Sequence, residues 1–340
     1  MRATGMRGLG VAAMVLLVPA AAAAEPAASP FPTGKPVSMH VGVPPGGGND
    51  QIMRLVARAI GNHLPGKPSV VARNTPGAGG RRLAAQLAHT APRDGTEMGM
   101  LHRGLVMESL LGDTSLPFKL SDLAWIGTPS STTDSCIVWH TASVQSMQDI
   151  KERELIVAGD GNESWQVSLL QRLVGAKIRA VIGYPGGAAM NLALERGEVG
   201  GRCNYSWQAL KTALPDWLRD KKVKPIVQFA LQRNPELPDV PLILDFATND
   251  LDRKALRVLM TSQVFGFPFA APGQVSPETL RVLRTAFQEA MKDPQTRDDG
   301  KKMRFEIAPV RGEVLAEAAR EALAASPEVI ARAKELVSAK

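Results

Sequence analysis

From Val37 onward the chain alternates between short apolar runs, glycine-rich loops and segments with helical spacing. VSMHVGV, residues 37–43, alternates closely enough to predict a strand and runs straight into the loop PPGGGND. In QIMRLVARAIGNHL, Ile52, Leu55, Val56, Ala59 and Ile60 fall on one face at a helical period. Asn49 or Asp50 stands where a side chain caps such a helix. PSVVARN then predicts a second strand, TPGAGG a second glycine loop and RRLAAQLAHT a second helix. APRDGTEMGMLH predicts a turn at Asp94-Gly95 and another strand.

The same grammar recurs at ELIVAGDGNESWQVSLLQRLVG and at KIRAVIGYPGGAAMNLALERGEVGGRC, and KVKPIVQFALQRN predicts a further strand. SPETLRVLRTAFQEAMKD and SPEVIARAKELVSA predict helices, each opened by a serine cap with proline in the first turn. This is α/β layering around mainly parallel sheets, with the loops gathered at the C-terminal edges of the strands. The expected architecture is two α/β lobes joined by a hinge, with an inter-lobe cleft. Residues 37–128 are assigned to lobe 1, 129–245 to lobe 2, and 246–340 to a return segment and C-terminal helices completing lobe 1.

A length of 340 residues supports two cores, and 44% apolar with 21% charged residues is the profile of a folded, soluble protein. The N-terminus changes the picture further. Arg2 and Arg7 flank an apolar core from Val11 to Val18, followed by small alanines before Glu25. That layout predicts a cleavable secretory signal over residues 1–24, with cleavage after Ala24, and a leader over 25–36. The expected location is the periplasm, an oxidising compartment. The formal charge of +7 falls to +5 without Arg2 and Arg7, and the excess is scattered rather than blocked. With 5% aromatics and no basic–aromatic interleaving, nucleic acid is not an expected partner. A monomer is the expected state, with weak dimerisation left open by the residue pattern.

The candidate chemistry lies in the glycine loops that precede helices. Glycine lets main chain approach a ligand closely, and a helix start offers unsatisfied N–H groups at the positive end of its dipole. Such a site suits a carboxylate. The first loop nominates Pro45, Gly46, Gly47, Asn49 and Asp50, with Asp50 organising the loop. The second nominates Ala78, Gly79, Gly80 and Arg81. Arg81 either meets a distal acidic group on the ligand or lies on a solvated helix face. Tyr184, Gly186 and Gly187 form a later loop, and Trp165 sits at another loop-to-helix junction, where it walls a cleft or packs in a core. PPGGGND lacks dinucleotide spacing and PGAGGRR lacks the phosphate-loop pattern, so no nucleotide cofactor is expected. His102-Arg103 reads as an ordinary polar loop. The five histidines show no metal spacing and there is no nucleophile elbow, so neither catalytic residues nor a metal site is nominated. Cys136 and Cys203 are either a disulfide or buried thiols.

Taken in order and separation, VGVPPGGGNDQIMRLVARAI, NTPGAGGRRLAAQLAHTAPRDGTEMGM and GYPGGAAMNLALERGEVGGR make the mature chain resemble the periplasmic solute-binding proteins of tripartite tricarboxylate transporters, the Bug receptor family. The resemblance implies a two-lobed periplasmic binding protein fold with mainly parallel sheets, whose α/β lobes enclose a small organic carboxylate through loop backbones and ordered waters. It implies delivery to one large and one small membrane subunit, without catalysis. It maps binding loops onto Pro44–Asp50 and Pro76–Gly80, and second-lobe contributions around Gly161–Trp165 and Tyr184–Ala188, which adds Asn162 and Ser164 to the candidates. Arg81-Arg82, Gly200 and the loop GDGNESW depart from the family pattern. The reading from another class is a periplasmic enzyme acting on a carboxylate substrate.

Overall fold

The apolar runs fold as strands sorted into two sheets. β1 (Val37–Val41), β2 (Val70–Asn74), β3 (Glu97–Met100) and β4 (Leu123–Thr128) precede β5 (Asp134–Trp139), β6 (Leu155–Gly159), β7 (Ile178–Ile182), β8 (Gly201–Ser206) and β9 (Val223–Phe229). β10 (Phe269–Pro272) and β11 (Val310–Arg311) close the series. The computed structural model describes residues 31–338 apart from 33, 160–163 and 185, together with Met1. Met1 aside, the predicted signal and its cleavage point lie outside the described residues, as does Asn162.

One sheet has the order β11-β4-β10-β3-β1-β2 and the other β7-β6-β8-β5-β9. The chain therefore leaves the first sheet after β4, builds the whole second sheet, and returns through the helix Asp250–Phe265 to β10. Pairing is parallel where strand, loop and helix repeat: β1 with β2 and β3, and β6 with β7 and β8. It is antiparallel where the chain changes sheets. β5 runs against β8 and β9, and β10 runs against β3 and β4.

The first sheet buries one face against the helices Gly48–Ile60 and Pro277–Lys292, through Met39, Met53, Val56, Phe269 and Phe287. A longer apolar cluster continues from Leu83 and Leu105 of the first lobe through Leu169 and Leu170 of the second to Leu259 and Leu336. Behind the second sheet, Trp139 and Trp217 meet edge to face with centroids 5.0 Å apart. Cys136 of β5 and Cys203 of β8 are joined by a disulfide across adjacent strands. The serines of both Ser-Pro-Glu segments cap their helices, Ser276 accepting from the Thr279 N–H at 3.0 Å and Ser326 from the Val329 N–H at 3.4 Å.

The C-terminal segment touches both lobes. The last helix, Pro327–Val337, packs against both Asp250–Phe265 and Ser164–Val174, and Arg172 Nε donates to the Ser338 carbonyl at 3.3 Å. Its apolar face, with Val329, Ala333 and Leu336, joins the cluster shared by the two lobes, so burial holds it across the back of the hinge.

Candidate functional site

A buried carboxylate shapes the first loop. β1 ends at Val41, and the helix begins at Gly48, with Gly47 in the capping position and no side-chain cap. The expected cap at Asn49 or Asp50 is not formed, because the helix starts early enough to take both residues into its first turn. Asp50 instead turns back. Its Oδ2 accepts the Gly46 N–H at 2.8 Å, its Oδ1 accepts from Asn74 Nδ2 at 2.8 Å, and Arg54 Nε lies 3.0 Å and 3.1 Å from the two oxygens. Asn74 also accepts from Arg54 Nη2 at 2.8 Å and donates to the Val43 carbonyl at 3.0 Å. Asp50 is only 3% exposed. Burial alone raises a carboxyl pKa, but the bonds from Arg54, Gly46 and Asn74 outweigh it and hold Asp50 below its ordinary value. With both oxygens occupied by protein donors, Asp50 supports the loop from below. Gly46, at φ 96°, turns the chain in the left-handed region that glycine enters readily. Pro45, Gly46 and Gly47 are exposed, whereas Gly48 and Asn49 line the cleft.

The second loop packs backbone to backbone on the first. A Cβ at Gly42 would stand 2.8 Å from the Gly80 Cα, so the loops approach this closely because Gly42 carries no side chain. Gly77, Ala78, Gly79 and Gly80 all have positive φ, and Ala78 at 47° holds a conformation that costs a side-chain-bearing residue about 1–2 kcal/mol. Gly80 is buried beside Leu105 and His102. Arg81 turns away from the loop. Its Nη2 donates to Glu108 at 3.0 Å and Asp113 at 3.3 Å, and its Nη1 to Ser115 Oγ at 3.2 Å.

The floor of the cleft is built by residues that the sequence reading passed over. His102 caps the helix Arg103–Leu110, its Nδ1 accepting from the Gly104 N–H at 3.1 Å. Arg103 reaches from this helix into the segment joining β4 to β5. Its Nη2 donates to Asp134 Oδ2 at 2.9 Å and its Nη1 to Gln263 Oε1 at 3.0 Å and to Thr132 Oγ1. Gln263 Nε2 donates to the same Asp134 oxygen at 3.1 Å. Asp134 has no exposed side-chain surface, whereas Arg103 keeps 24% of its own open. One cluster thus ties the first lobe, the outgoing crossing and the return helix together at the hinge.

Two cavities share this floor. The larger, about 480 Å³, is lined by Gly48 and Asn49, by Leu101–Arg103 and Ser130–Thr132, by the second-lobe helix Trp207–Ala213, and by Phe267 and Met303–Phe305. The smaller, about 260 Å³, runs from Arg103 to Trp165 and Asn204. Trp165 also packs edge to face on Phe229 with centroids 5.8 Å apart, so it serves core and cleft together. Ser164 opens the helix Ser164–Val174. Tyr184, Gly186 and Gly187 line neither cavity. Beside that loop lies Arg202, which donates to Asn191 Oδ1 at 2.9 Å and to the Gly187 carbonyl at 3.4 Å, with its guanidinium 4.3 Å from the centroid of the Tyr205 ring.

No protein-family model and no curated protein matches the chain. Among solved structures, a TctC solute-binding protein from Polaromonas is similar over 85% of this chain and 96% of its own, with a TM-score of 0.65 at 20% identity. MatC from Rhodopseudomonas palustris with bound malate is similar over 89% and 98%, with a TM-score of 0.57 at 21% identity. An R. palustris protein with adipate is similar over 87% and 96%, with a TM-score of 0.59 at 18% identity. These likenesses establish the fold as the two-domain α/β architecture of periplasmic binding proteins.

Proposed function

We propose that the chain is a non-catalytic periplasmic receptor of the tripartite tricarboxylate transporter type, which captures a small organic carboxylate and hands it to a large and a small membrane subunit. The observation that carries this reading is one cavity lined together by the start of the helix Gly48–Ile60, Arg103, the hinge and a second-lobe helix. A helix start offers N–H donors and partial positive charge, and a guanidinium adds a full charge with matching geometry. A carboxylate between them exchanges water for fixed donors at little reorganisation. Contacts from both lobes then favour the closed arrangement, which is the form a membrane partner can distinguish. Glycine-loop motifs in family order and neighbours solved with malate and adipate support the same reading.

Native mass spectrometry of gently purified protein, followed by denaturing release, is expected to yield one carboxylate per chain. The same protein recovered from a periplasmic fraction is expected to begin at Glu25 and to be monomeric. Ala78→Trp, with folding checked by circular dichroism, is expected to weaken titrated carboxylate binding. Continuous conversion of the bound acid by the purified protein would establish an enzyme instead.

A further inference from the structure

The cavity has an apolar wall that capture of a bare carboxylate does not need. Ile52, Phe267, Met303 and Phe305 stand on the first-lobe side, and Ala209 and Ala213 face them from the second. Phe267 and Phe305 meet edge to face, centroids 5.4 Å apart at 79°, and both rings and Met303 remain half-buried. Three of the five hydroxyls around the cavity are directed back into the protein. Ser130 donates to the Ser131 carbonyl at 3.0 Å, Thr132 to Gln263 Oε1 at 2.7 Å and Thr212 to the Gln208 carbonyl at 2.9 Å. Gln208 is itself tied to Glu306. A ligand rich in hydroxyl groups finds these three hydroxyls already engaged and meets the apolar wall along its body, where burying an unpaired hydroxyl is unfavourable.

Arg103 keeps donors open to the cavity. It carries five N–H groups, of which three are engaged by Thr132, Gln263 and Asp134. The Nε–H and one Nη2–H have no partner among the described residues, and a quarter of the side chain is open to the cleft.

We propose that this cleft selects carboxylates with an apolar body, a medium alkyl chain or an aromatic ring, over hydroxylated acids of the same size. The carboxylate lies between Arg103 and the start of the helix at Gly48 and Asn49, while the body covers Phe267, Met303 and Phe305. The inference rests on the receptor reading and adds the ligand class and the residue that anchors it.

Isothermal titration of the mature chain with propanoate, butanoate, pentanoate, hexanoate and benzoate, against malate, citrate and gluconate, tests it. Affinity is expected to rise about fourfold for each added methylene. Gluconate is expected to bind about tenfold or more weaker than hexanoate. Arg103→Gln is expected to weaken hexanoate about 30-fold or more. Ala209→Asp lies on an exposed first turn of its helix, where an acidic residue is compatible with folding, and places a negative charge against the ligand. It is expected to weaken hexanoate at unchanged melting temperature, so the proposal stays testable even where Arg103→Gln does not fold. A flat chain-length series with tight malate, citrate or gluconate binding overturns the apolar-body inference and leaves the receptor reading standing. Failure of every carboxylate to bind overturns both.

Discussion

Asp50→Ala is the sharpest test of how the first loop is held. The wild-type carboxylate accepts from Gly46, Arg54 and Asn74, and its removal leaves a backbone N–H and a side-chain amide facing an apolar methyl group. Losing one partner of a buried ion pair costs about 3–5 kcal/mol. Arg54 lowers that figure, since 39% of its side chain is exposed and can regain water. The expected loss is therefore at the low end, about 3 kcal/mol, with Asp50→Asn losing about half as much because it keeps an acceptor. Urea unfolding with matched slopes measures the difference, and titration of the released ligand measures whether the loosened loop still binds. The pH dependence has a defined sign. The folded pKa of Asp50 lies below its ordinary 3.8, so the contribution is fully present above that value and is lost as pH falls through the lower, folded pKa. The gap between wild type and Asp50→Asn should hold at neutral pH and narrow below about pH 4. Equal urea midpoints for wild type and Asp50→Ala at pH 7 would refute the reasoning.

Other substitutions separate structural from binding roles. Arg81→Ala is expected to leave carboxylate affinity unchanged and to shift stability by about 1 kcal/mol or less, because its acidic partners are themselves a third exposed; a tenfold loss of affinity by titration would contradict that. Reducing the Cys136–Cys203 bond, which spans 67 residues, is expected to lower unfolding free energy by about 2–4 kcal/mol in paired urea curves with and without reductant. Gly42→Ala is expected to cost about 1–3 kcal/mol and to weaken binding as well, since its methyl group meets the Gly80 backbone and drives the two loops apart; a variant with wild-type melting and affinity would show that the close approach is not required.

The fold was legible because its signals are local. Each strand, glycine loop and helix announces itself within about twenty residues, and repetition of that unit implies layered sheets. The loops Pro45–Asp50 and Ala78–Gly80 were legible for the same reason. What escaped depends on separation. Asp50 and Asn74 are 24 positions apart, and Arg103 meets Asp134 and Gln263 over 31 and 160. No periodicity links such residues. A weaker signal for Arg103 did exist: it follows β3 at the edge where β1 and β2 also release their glycine loops. For Arg81 the sequence left ligand contact and a solvated helix face both open, because the residues the fold brings to it, Glu108 and Asp113, stand 27 and 32 positions away.

The strengths of the contacts between the lobes also order how the cleft behaves. At the back, the helix Pro327–Val337 buries apolar surface against both lobes, and at the floor the Arg103 cluster includes a fully buried carboxylate. At the rim the lobes meet through Lys211 and Gln208 on one side and Glu306 on the other, with Lys211 Nζ 3.2 Å from Glu306 across the lobes and 2.6 Å from Glu236 of its own lobe. About half of each glutamate side chain is exposed, so these rim pairs contribute about 1 kcal/mol or less and weaken further in salt. A strong back and floor with a weak rim make the mouth the part that yields first. A ligand that adds about 1.4 kcal/mol of contact across the lobes shifts the balance at the rim about tenfold, which the rim pairs alone do not do.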